Sequence, residues 1–370
     1  MSIQTYLTKR ESIKPILFYR AYLAKEELEA VLDCLLEDEF TTETIREKFE
    51  KLFCETLNFK HALAVNAKTS AYHLAFLSLK INETNTIWMS NLAPVSALDA
   101  AKYINAKICL IEIDKNSFFP NPDHLKEIIT KEMKENDVFI ADYTYGAYYE
   151  FPFDLLQEKN IHVIEDITGM LGFQISINED EVNGNIGKFS KIQICGLYPD
   201  DIITTAKGAI ILTNDNKIIK ELNEITYSKN RNLNKTAFDY LLEDFQSAIG
   251  IHQLNKIGNL LTRRKKIGHK FLEGLRNTHH ETYFQNPKYD NYHRFPVVFS
   301  KSQEEMTRYF KSLKIEVQPI PTPLHKYLNE TFQKFPNSER LLKKGLCIPI
   351  YPMLTSGNVE RIINAIRSII

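Results

Sequence analysis

Short apolar runs alternate with amphipathic segments along the first two thirds of the chain. The runs are mainly apolar and predict buried strands at 62–65, 86–89, 107–113, 137–142 and 161–165. The segments between them have helical periodicity and predict helices at 43–57, 71–80, 94–103 and 125–134. Strands of this kind, separated by helices, are typical of a mostly parallel central sheet sandwiched by helices. The pattern therefore predicts an α/β fold.

The first amphipathic segment, AKEELEAVLDCLLE at 24–37, has the spacing of a helix with one apolar face. Leu28, Val31, Leu32 and Leu35 fall on that face.

The pattern changes in the last third of the chain. Strands predicted at 295–299 and 315–320 flank an amphipathic helix at 303–313, and a helix at 359–370 closes the chain. We therefore predict two domains. A large α/β domain spans residues 1–250, and a smaller C-terminal α+β domain spans residues 251–370.

Polar residues follow the ends of several predicted strands. Lys68 and Thr69 come shortly after the first strand, Asp142 ends another, and Asp166 ends a third. Ligands of such sheets bind beyond the carboxyl ends of the strands, so these residues predict a ligand site. Thr69 and Asp166 are also ordinary helix N-cap residues, and the local sequence leaves that alternative open.

The stretch FSKIQICGLYPDDIITTAKGAIIL at 189–212 predicts two buried strands joined by a polar turn. The turn carries Pro199, Asp200 and Asp201, and Lys207 stands before the second strand. An exposed turn with two carboxylates and a lysine nearby is where an α/β enzyme would place its chemistry.

Composition and charge exclude several classes of protein. The formal net charge is −1, which gives no electrostatic case for nucleic acid or a membrane surface. The five cysteines lie far apart without metal-ligand spacing, and the 13 glycines form neither GxGxxG nor GxxxxGK. The first residues have no apolar core typical of a signal peptide. We therefore expect a cytoplasmic protein with reduced thiols and no metal.

Seven stretches in register resemble the DegT/DnrJ/StrS family of sugar aminotransferases. In chain order they are FTTETIREKFE at 40–50, HALAVNAKTSAYHLAF at 61–76, AKICLIEID at 106–114, VIEDITGMLG at 163–172, YPDDIITTAKGAIILTND at 198–215, EDFQSAIGIHQL at 243–254 and CIPIYP at 347–352. The resemblance implies a fold-type-I aminotransferase-like fold, pyridoxal phosphate as cofactor, and a nucleotide-linked sugar as ligand. It also implies a homodimer in which the neighbouring subunit completes each active site.

The resemblance also suggests which residues would hold the cofactor. Asp166 would hold the pyridine nitrogen and keep it protonated, which makes the ring an electron sink. Thr69 would receive the phosphate at a helix N-terminus, where Lys68 replaces the usual glycine. Tyr198 matches the aromatic residue that precedes the Schiff-base lysine. Lys68 would either bind an anion or fill the pocket with its own ammonium.

The departures from the family are concentrated at the chemistry. Asp201 stands where the Schiff-base lysine is expected, and a carboxylate cannot form that bond. Gly196 replaces a serine that contacts the phosphate. The stacking ring, the residue after the ED pair and two partner-subunit donors are replaced by Pro94, Gly169, Asp239 and Leu241. Loss of several charge-assisted contacts, each worth roughly 1.5–3 kcal/mol, predicts weak cofactor binding or none.

Three residues are candidates for the chemistry itself. They are Asp201, Lys207, which would have to reach back to replace the lost lysine, and His325, which follows the proline-rich PIPTP at 319–323. Asp201 could act as a general base in a dry cleft.

Three interpretations of the function remain open on sequence alone. The chain is a pseudoenzyme or cofactor-independent protein that binds a nucleotide sugar in polysaccharide or amino-sugar assembly. Alternatively it is an aminotransferase or dehydratase that holds pyridoxal or pyridoxamine phosphate noncovalently. In the third interpretation it is a structural paralogue that partners an active relative.

Overall fold

A computed structural model describes residues 14–36, 44–173, 186–187, 189–227 and 232–369 of the chain. Its centre is a seven-stranded sheet in the order β1-β7-β6-β5-β4-β2-β3. The strands are β1 (His61–Val65), β2 (Thr86–Ser90), β3 (Lys107–Ile111), β4 (Val138–Asp142), β5 (His162–Asp166), β6 (Ile192–Gly196) and β7 (Ala209–Thr213). β7 runs antiparallel to both of its neighbours, whereas the other pairings are parallel. The predicted, mostly parallel sheet is confirmed.

Helices cover both faces of this sheet. They are α1 (Lys25–Leu36), α2 (Thr44–Leu57), α3 (Lys68–Ser78), α4 (Val95–Tyr103), α5 (Pro122–Lys131), α6 (Phe153–Glu158), α7 (Asn216–Glu224), α8 (Asp244–Asn255) and α9 (Ile257–Leu275). Successive residues of β1 point to opposite faces of the sheet. Leu63 and Val65 belong to the apolar cluster formed with α3, α4 and α7. Ala64 belongs to the cluster formed with α2 and α9. The inner strands are mostly apolar because helices cover both faces of the sheet.

A second, three-stranded sheet follows near the C-terminus in the order β8-β10-β9. Its strands are β8 (Phe295–Val298), β9 (Gln318–Pro319) and β10 (Gly345–Ile348), and both pairings are antiparallel. The accompanying helices are α10 (Gln303–Ser312), α11 (Pro336–Lys344) and α12 (Ser356–Arg367). This part has the α+β character expected of the smaller C-terminal unit. The predicted boundary at residue 250 falls inside α8.

α1 presents its apolar face to solvent. Leu28, Leu32 and Leu35 are 61%, 57% and 46% exposed. The helix packs on α8 through the opposite side, where Glu27 and Cys34 are buried. Glu27 is held there by donors from α8 and its C-terminal end, so a polar contact anchors this helix.

Among the residues that the structure describes, no helix combines the length and the apolar character needed to cross a bilayer. The same residues contain no cluster of three or more His, Cys, Asp or Glu side chains arranged to hold a metal ion.

Candidate functional site

A cleft of about 450 Å³ lies beyond the carboxyl ends of the central strands. Asp142 ends β4, Asp166 ends β5, and both parallel strands deliver their carboxylates to the same edge of the sheet. Lys68 reaches this edge from the first turn of α3, because the extended backbone at Ala67 starts the helix there. The cleft therefore gathers the strand-end residues that the sequence singles out.

Asp166 is the most fully bonded carboxylate of the cleft. Its Oδ2 accepts a hydrogen bond from the Tyr72 hydroxyl at 2.6 Å and lies 2.6 Å from Lys68 Nζ. Its Oδ1 accepts from the Thr168 backbone N–H at 3.0 Å and from the Thr168 hydroxyl at 2.6 Å. Both oxygens are therefore engaged by groups of the chain itself, and the side chain is fully buried.

Lys68 places a cation among three carboxylates. Burial alone lowers its pKa, but the charges of Asp166, Asp201 and Asp142 outweigh burial and raise the pKa above the usual lysine value. Its side chain is only 12% exposed. Lys68 is therefore an ammonium held against Asp166, and a neutral amine free to act as a nucleophile is disfavoured.

Asp142 lies beside this ion pair. Its Oδ2 accepts a hydrogen bond from the Thr144 hydroxyl at 2.6 Å. Burial and the negative charge of Asp166 raise the pKa of Asp142 to about 7, although Lys68 opposes the shift. The cleft thus contains a carboxyl group that gains or loses a proton near neutral pH.

Asp201 is tied to a histidine from the C-terminal part of the chain. Its Oδ1 lies 3.0 Å from His293 Nε2, and its Oδ2 accepts a hydrogen bond from the Tyr198 backbone N–H at 2.7 Å. Burial raises the pKa of Asp201, but the hydrogen bond and charge of His293 outweigh it and lower the pKa. Asp201 is therefore ionised. The neighbouring residues Asp200 and Arg294 also form an ion pair with each other.

The backbone at Gly196 faces space that other side chains fill. A Cβ on Gly196 would stand 2.8 Å from Asp201 Oδ2 and 3.4 Å from both Lys68 Cδ and Thr168 Cγ2. A serine at this position would therefore collide with Asp201. The resemblance expects a phosphate-binding hydroxyl at this position. In this chain the side chains of Asp201 and Lys68 occupy that space.

The structure brings together most of the residues predicted from sequence. Lys68, Thr69, Tyr198 and Asp201 all line the cleft, and Asp166 lies behind Lys68. Thr69 is the second residue of α3. The Tyr198 hydroxyl accepts a hydrogen bond of 3.4 Å from the Lys68 backbone N–H.

Two predicted residues lie elsewhere. Lys207 is exposed before β7 and is not part of the cleft wall. His325 is fully buried, where its ring nitrogens contact Asn91 and Glu339 at 2.9 Å and its ring stacks on Phe335. Both ring nitrogens of His325 therefore take part in a buried structural network.

Sequence reasoning missed His293 and Arg294. They stand directly before β8, and the structure pairs them with Asp201 and Asp200. The sequence contains two adjacent basic residues and two adjacent acidic residues that could have suggested this pairing. More than ninety residues separate the two groups, so no local sequence pattern indicates that they meet.

Pyridoxal phosphate, the cofactor implied by the resemblance, does not fit this arrangement as a covalently held group. Lys68 is the one lysine among the described residues that line the cleft, and its ammonium is paired with Asp166. A pyridine nitrogen would have to displace that ammonium to reach Asp166. Asp201, bonded to His293, fills the space beside Gly196.

Comparisons with known proteins place this geometry in context. The model of the DegT/DnrJ/EryC1/StrS aminotransferase family matches residues 21–367. In sequence, the chain is 25% identical to the uncharacterized protein MJ1066 of Methanocaldococcus jannaschii, over 98% of both chains. It is 24% identical to GDP-perosamine synthase of Escherichia coli O157:H7, over 96% of this chain and 98% of that enzyme.

A solved structure extends the likeness to the fold. The E. coli GDP-4-keto-6-deoxy-D-mannose-3-dehydratase with bound hydrated PLP superposes with a TM-score of 0.80 and 18% identity. The match covers 95% of this chain and 100% of that one. The two chains therefore share one fold along almost their whole length.

Proposed function

This chain belongs to the DegT/DnrJ/EryC1/StrS aminotransferase family, and from that premise we propose that it binds a nucleotide-linked sugar without covalently held pyridoxal phosphate. It is then not a conventional transaminase but a cofactor-independent member that serves polysaccharide or amino-sugar assembly. The observation that carries this proposal is the ion pair of 2.6 Å between Lys68 and Asp166.

The ion pair acts as a built-in substitute for the cofactor's ring. A protonated pyridine nitrogen would offer Asp166 one positive N–H donor, and the Lys68 ammonium already offers such a donor at 2.6 Å. Displacing Lys68 would break its pair with Asp166 and leave Asp142 and Asp201 as the remaining carboxyl neighbours of the ammonium. A competing ligand must compensate for the loss of that buried pair, which weakens its binding.

The ligand class comes from the relatives. GDP-perosamine synthase and the GDP-4-keto-6-deoxy-D-mannose dehydratase are named for GDP-linked sugars. The cleft of this chain retains about 450 Å³ beyond the Lys68 ion pair, enough for a sugar ring. Its wall carries Asp142, Asp201, His293 and Arg294, which are suited to the hydroxyl and carbonyl groups of a sugar.

Titration with pyridoxal phosphate tests the proposal. We expect no saturable absorbance change in the natural protein up to about 1 mM, which corresponds to less than about 4 kcal/mol of binding free energy. Lys68→Ala should bind the cofactor noncovalently and at least about tenfold more tightly, because Asp166 is then free for the ring nitrogen. Lys102→Ala, on the surface of α4, is the control and should behave like the natural protein.

A second measurement examines the sugar. GDP-linked and UDP-linked 4-keto-6-deoxy sugars should raise the melting temperature of the protein, since a ligand of the native state stabilises it by mass action. A saturable, sub-micromolar complex of the natural protein with pyridoxal phosphate would contradict the proposal. A protein that binds neither the cofactor nor a nucleotide sugar would instead favour a structural paralogue.

One observation favours a second candidate function. Thr69 lies in the first turn of α3, where unpaired backbone N–H groups and the helix dipole favour an anion. If Lys68 moves aside, Thr69 and Asp166 would hold noncovalent pyridoxal or pyridoxamine phosphate, with Asp201 as general base. The titration distinguishes this dehydratase-like function, because it requires tight cofactor binding without any substitution.

A further inference from the structure

His293 is held rigidly at the wall of the cleft. Its backbone carbonyl accepts a hydrogen bond of 2.9 Å from the buried Arg264 guanidinium. Its backbone nitrogen lies 2.7 Å from the position that a Cβ on Gly146 would take, so only glycine permits this close approach. On the ring, Nε2 contacts Asp201 at 3.0 Å. Backbone and ring are therefore both fixed before any ligand arrives.

The contact with Asp201 determines which nitrogen of His293 carries the proton in the neutral ring. An ionised carboxylate only accepts hydrogen bonds, so Nε2 must be the donor. Nδ1 is then left with a lone pair. Within the described part of the chain Nδ1 takes part in no hydrogen bond, and the residue lines the cleft.

Lys68 lines the same cleft wall as this pair. Lys68 Cδ and Asp201 Oδ2 are both within 3.4 Å of one point, the position of a Cβ on Gly196. The Lys68 ammonium has three N–H donors and gives one to Asp166. A remaining donor is available to an oxygen atom of a ligand in the cleft.

We infer that His293, oriented by Asp201, and Lys68 form a proton-transfer site that acts on the carbon next to a sugar carbonyl without any cofactor. The inference rests on the proposed function, because that function supplies the keto sugar. His293 is the base, Lys68 stabilises the oxygen, and Asp201 is a positioning residue.

The step balances without an oxidant or a further reactant. Nδ1 of His293 takes the proton from the carbon, and the C–H electron pair forms a carbon–carbon double bond. The π pair of the carbonyl moves onto oxygen, where the Lys68 ammonium stabilises the enolate. Return of the proton from Nδ1 to the same carbon restores the ketone. The consequence is exchange of that hydrogen with solvent, because the proton on Nδ1 exchanges with water before it returns to the carbon.

Hydrogen exchange measured by NMR in deuterium oxide tests the inference. With GDP-linked and UDP-linked 4-keto-6-deoxy sugars, we expect the proton on one of the two carbons beside the ketone to exchange at least about tenfold faster than without protein, which is about 1.4 kcal/mol of barrier lowering. His293→Gln keeps a donor for Asp201 but has no base, so exchange should fall to the protein-free rate. His279→Gln, an exposed histidine, is the control.

Comparison of sugar affinity with exchange rate separates positioning from a purely structural role of Asp201. The charged groups around His293 are Asp201 on its ring, Arg264 on its backbone, and Lys68, Asp142, Asp200 and Arg294 in the cleft wall. Asp201→Asn removes the one carboxylate in contact with the ring, so Nε2 is no longer fixed as the donor. The exchange rate at saturating sugar should therefore fall while the affinity for the sugar stays the same. An unchanged rate would show that Asp201 does not orient the base.

Calorimetry of the same sugars distinguishes the two proposals. Binding by the natural protein without faster exchange overturns the inference and leaves the proposed function intact. Exchange that survives in a folded His293→Gln variant also overturns the inference. Failure of the natural protein to bind either sugar overturns both. If His293→Gln does not fold, the exchange rate of the natural protein still decides the question, because a rate equal to the protein-free rate overturns the inference.

Discussion

The contribution of the Lys68–Asp166 pair to the free energy of unfolding can be measured against an exposed ion pair of equal length in the same chain. Lys68 and Asp166 lie 2.6 Å apart with side chains 12% and 0% exposed. Lys131 and Glu127 also lie 2.6 Å apart, but with side chains 69% and 53% exposed. The two pairs differ in burial, which determines how much the loss of one partner costs.

Lys68→Met should lower the free energy of unfolding by about 3–5 kcal/mol, because it leaves the Asp166 carboxylate buried without a cation. Adding Asp166→Asn should recover most of that loss, since the uncompensated charge is then gone. Urea denaturation of the single and double variants gives the coupling energy. Lys131→Met is the matched control and should cause no measurable loss.

A loss at Lys68→Met as small as that at Lys131→Met would contradict this account of the site. It would mean that water enters the pocket and shields Asp166, and the pocket would then be open to competing ligands.

At this scale the sequence predicted the carboxylates better than their partners. Asp166 and Lys68 could be found because the ends of apolar strands in a parallel sheet converge on one edge. His293 could not, because its role depends on a contact with Asp201 across 92 residues of chain. His325 carried a proline-rich context that is typical of a functional loop, but its nitrogens are used in a buried network with Asn91 and Glu339.

At the scale of elements, α1 shows how a polar contact can decide the orientation of a helix. Glu27 accepts hydrogen bonds from the Ala24 backbone N–H at 2.8 Å and the Gln253 amide at 2.8 Å, and pairs with Lys256 at 3.0 Å. The side chain is 1% exposed. Burial raises the pKa of Glu27, but these donors outweigh burial and lower it below the usual value of 4.5.

Glu27→Gln should destabilise the protein by about 1–3 kcal/mol at neutral pH, because an amide donor then faces the donors of Gln253 and Lys256. The lowered pKa means that the stabilisation by Glu27 is fully present above pH 4.5 and disappears as the pH falls through the folded-state pKa. The difference between variant and natural protein should therefore shrink in acid. Urea denaturation at neutral pH and near pH 3 measures it.

Glu26→Gln is the control for α1, since Glu26 contacts the same Lys256 at 3.1 Å from an exposed position. Its effect should be much smaller. If the two variants behave alike, the anchoring of α1 does not depend on the buried carboxylate.

The elements of the central sheet were predictable because apolar composition and strand length are local properties. β4, β6 and β7 are buried at every residue, which their mostly apolar composition indicates. The polar exceptions in these strands are Asp142, Gln193 and Thr213. The antiparallel direction of β7 and the packing of α1 were not predictable. Both depend on contacts between distant parts of the chain, and helical periodicity identifies an apolar face without stating what that face contacts.

At the scale of the whole molecule, the exposed apolar face of α1 bears on the homodimer that the family resemblance implies. Leu28, Leu32 and Leu36 are 61%, 57% and 79% exposed along one helix. A row of this kind can be covered by the same surface of a second copy across a twofold axis. Light scattering should give twice the chain mass of 43.0 kDa.

Leu32→Glu should raise the dissociation constant of this dimer at least about tenfold, because it places a charge in the apolar contact. Leu233→Glu, at an 84% exposed leucine elsewhere, is the control and should leave the mass unchanged. A monomer in the natural protein would contradict the expected homodimer, and an unaffected dimer in Leu32→Glu would place the interface on another surface.

The Lys68 ammonium is, in effect, a tethered ligand of Asp166. A free ligand occupies its site in proportion to its concentration, whereas a group on the same chain has an effective concentration fixed by the fold. Dilution, dialysis and shortage of small molecules leave the pair of 2.6 Å unchanged. A protein built this way keeps the Asp166 carboxylate paired from the moment it folds, and any molecule that binds Asp166 must first compete with a group of the same chain.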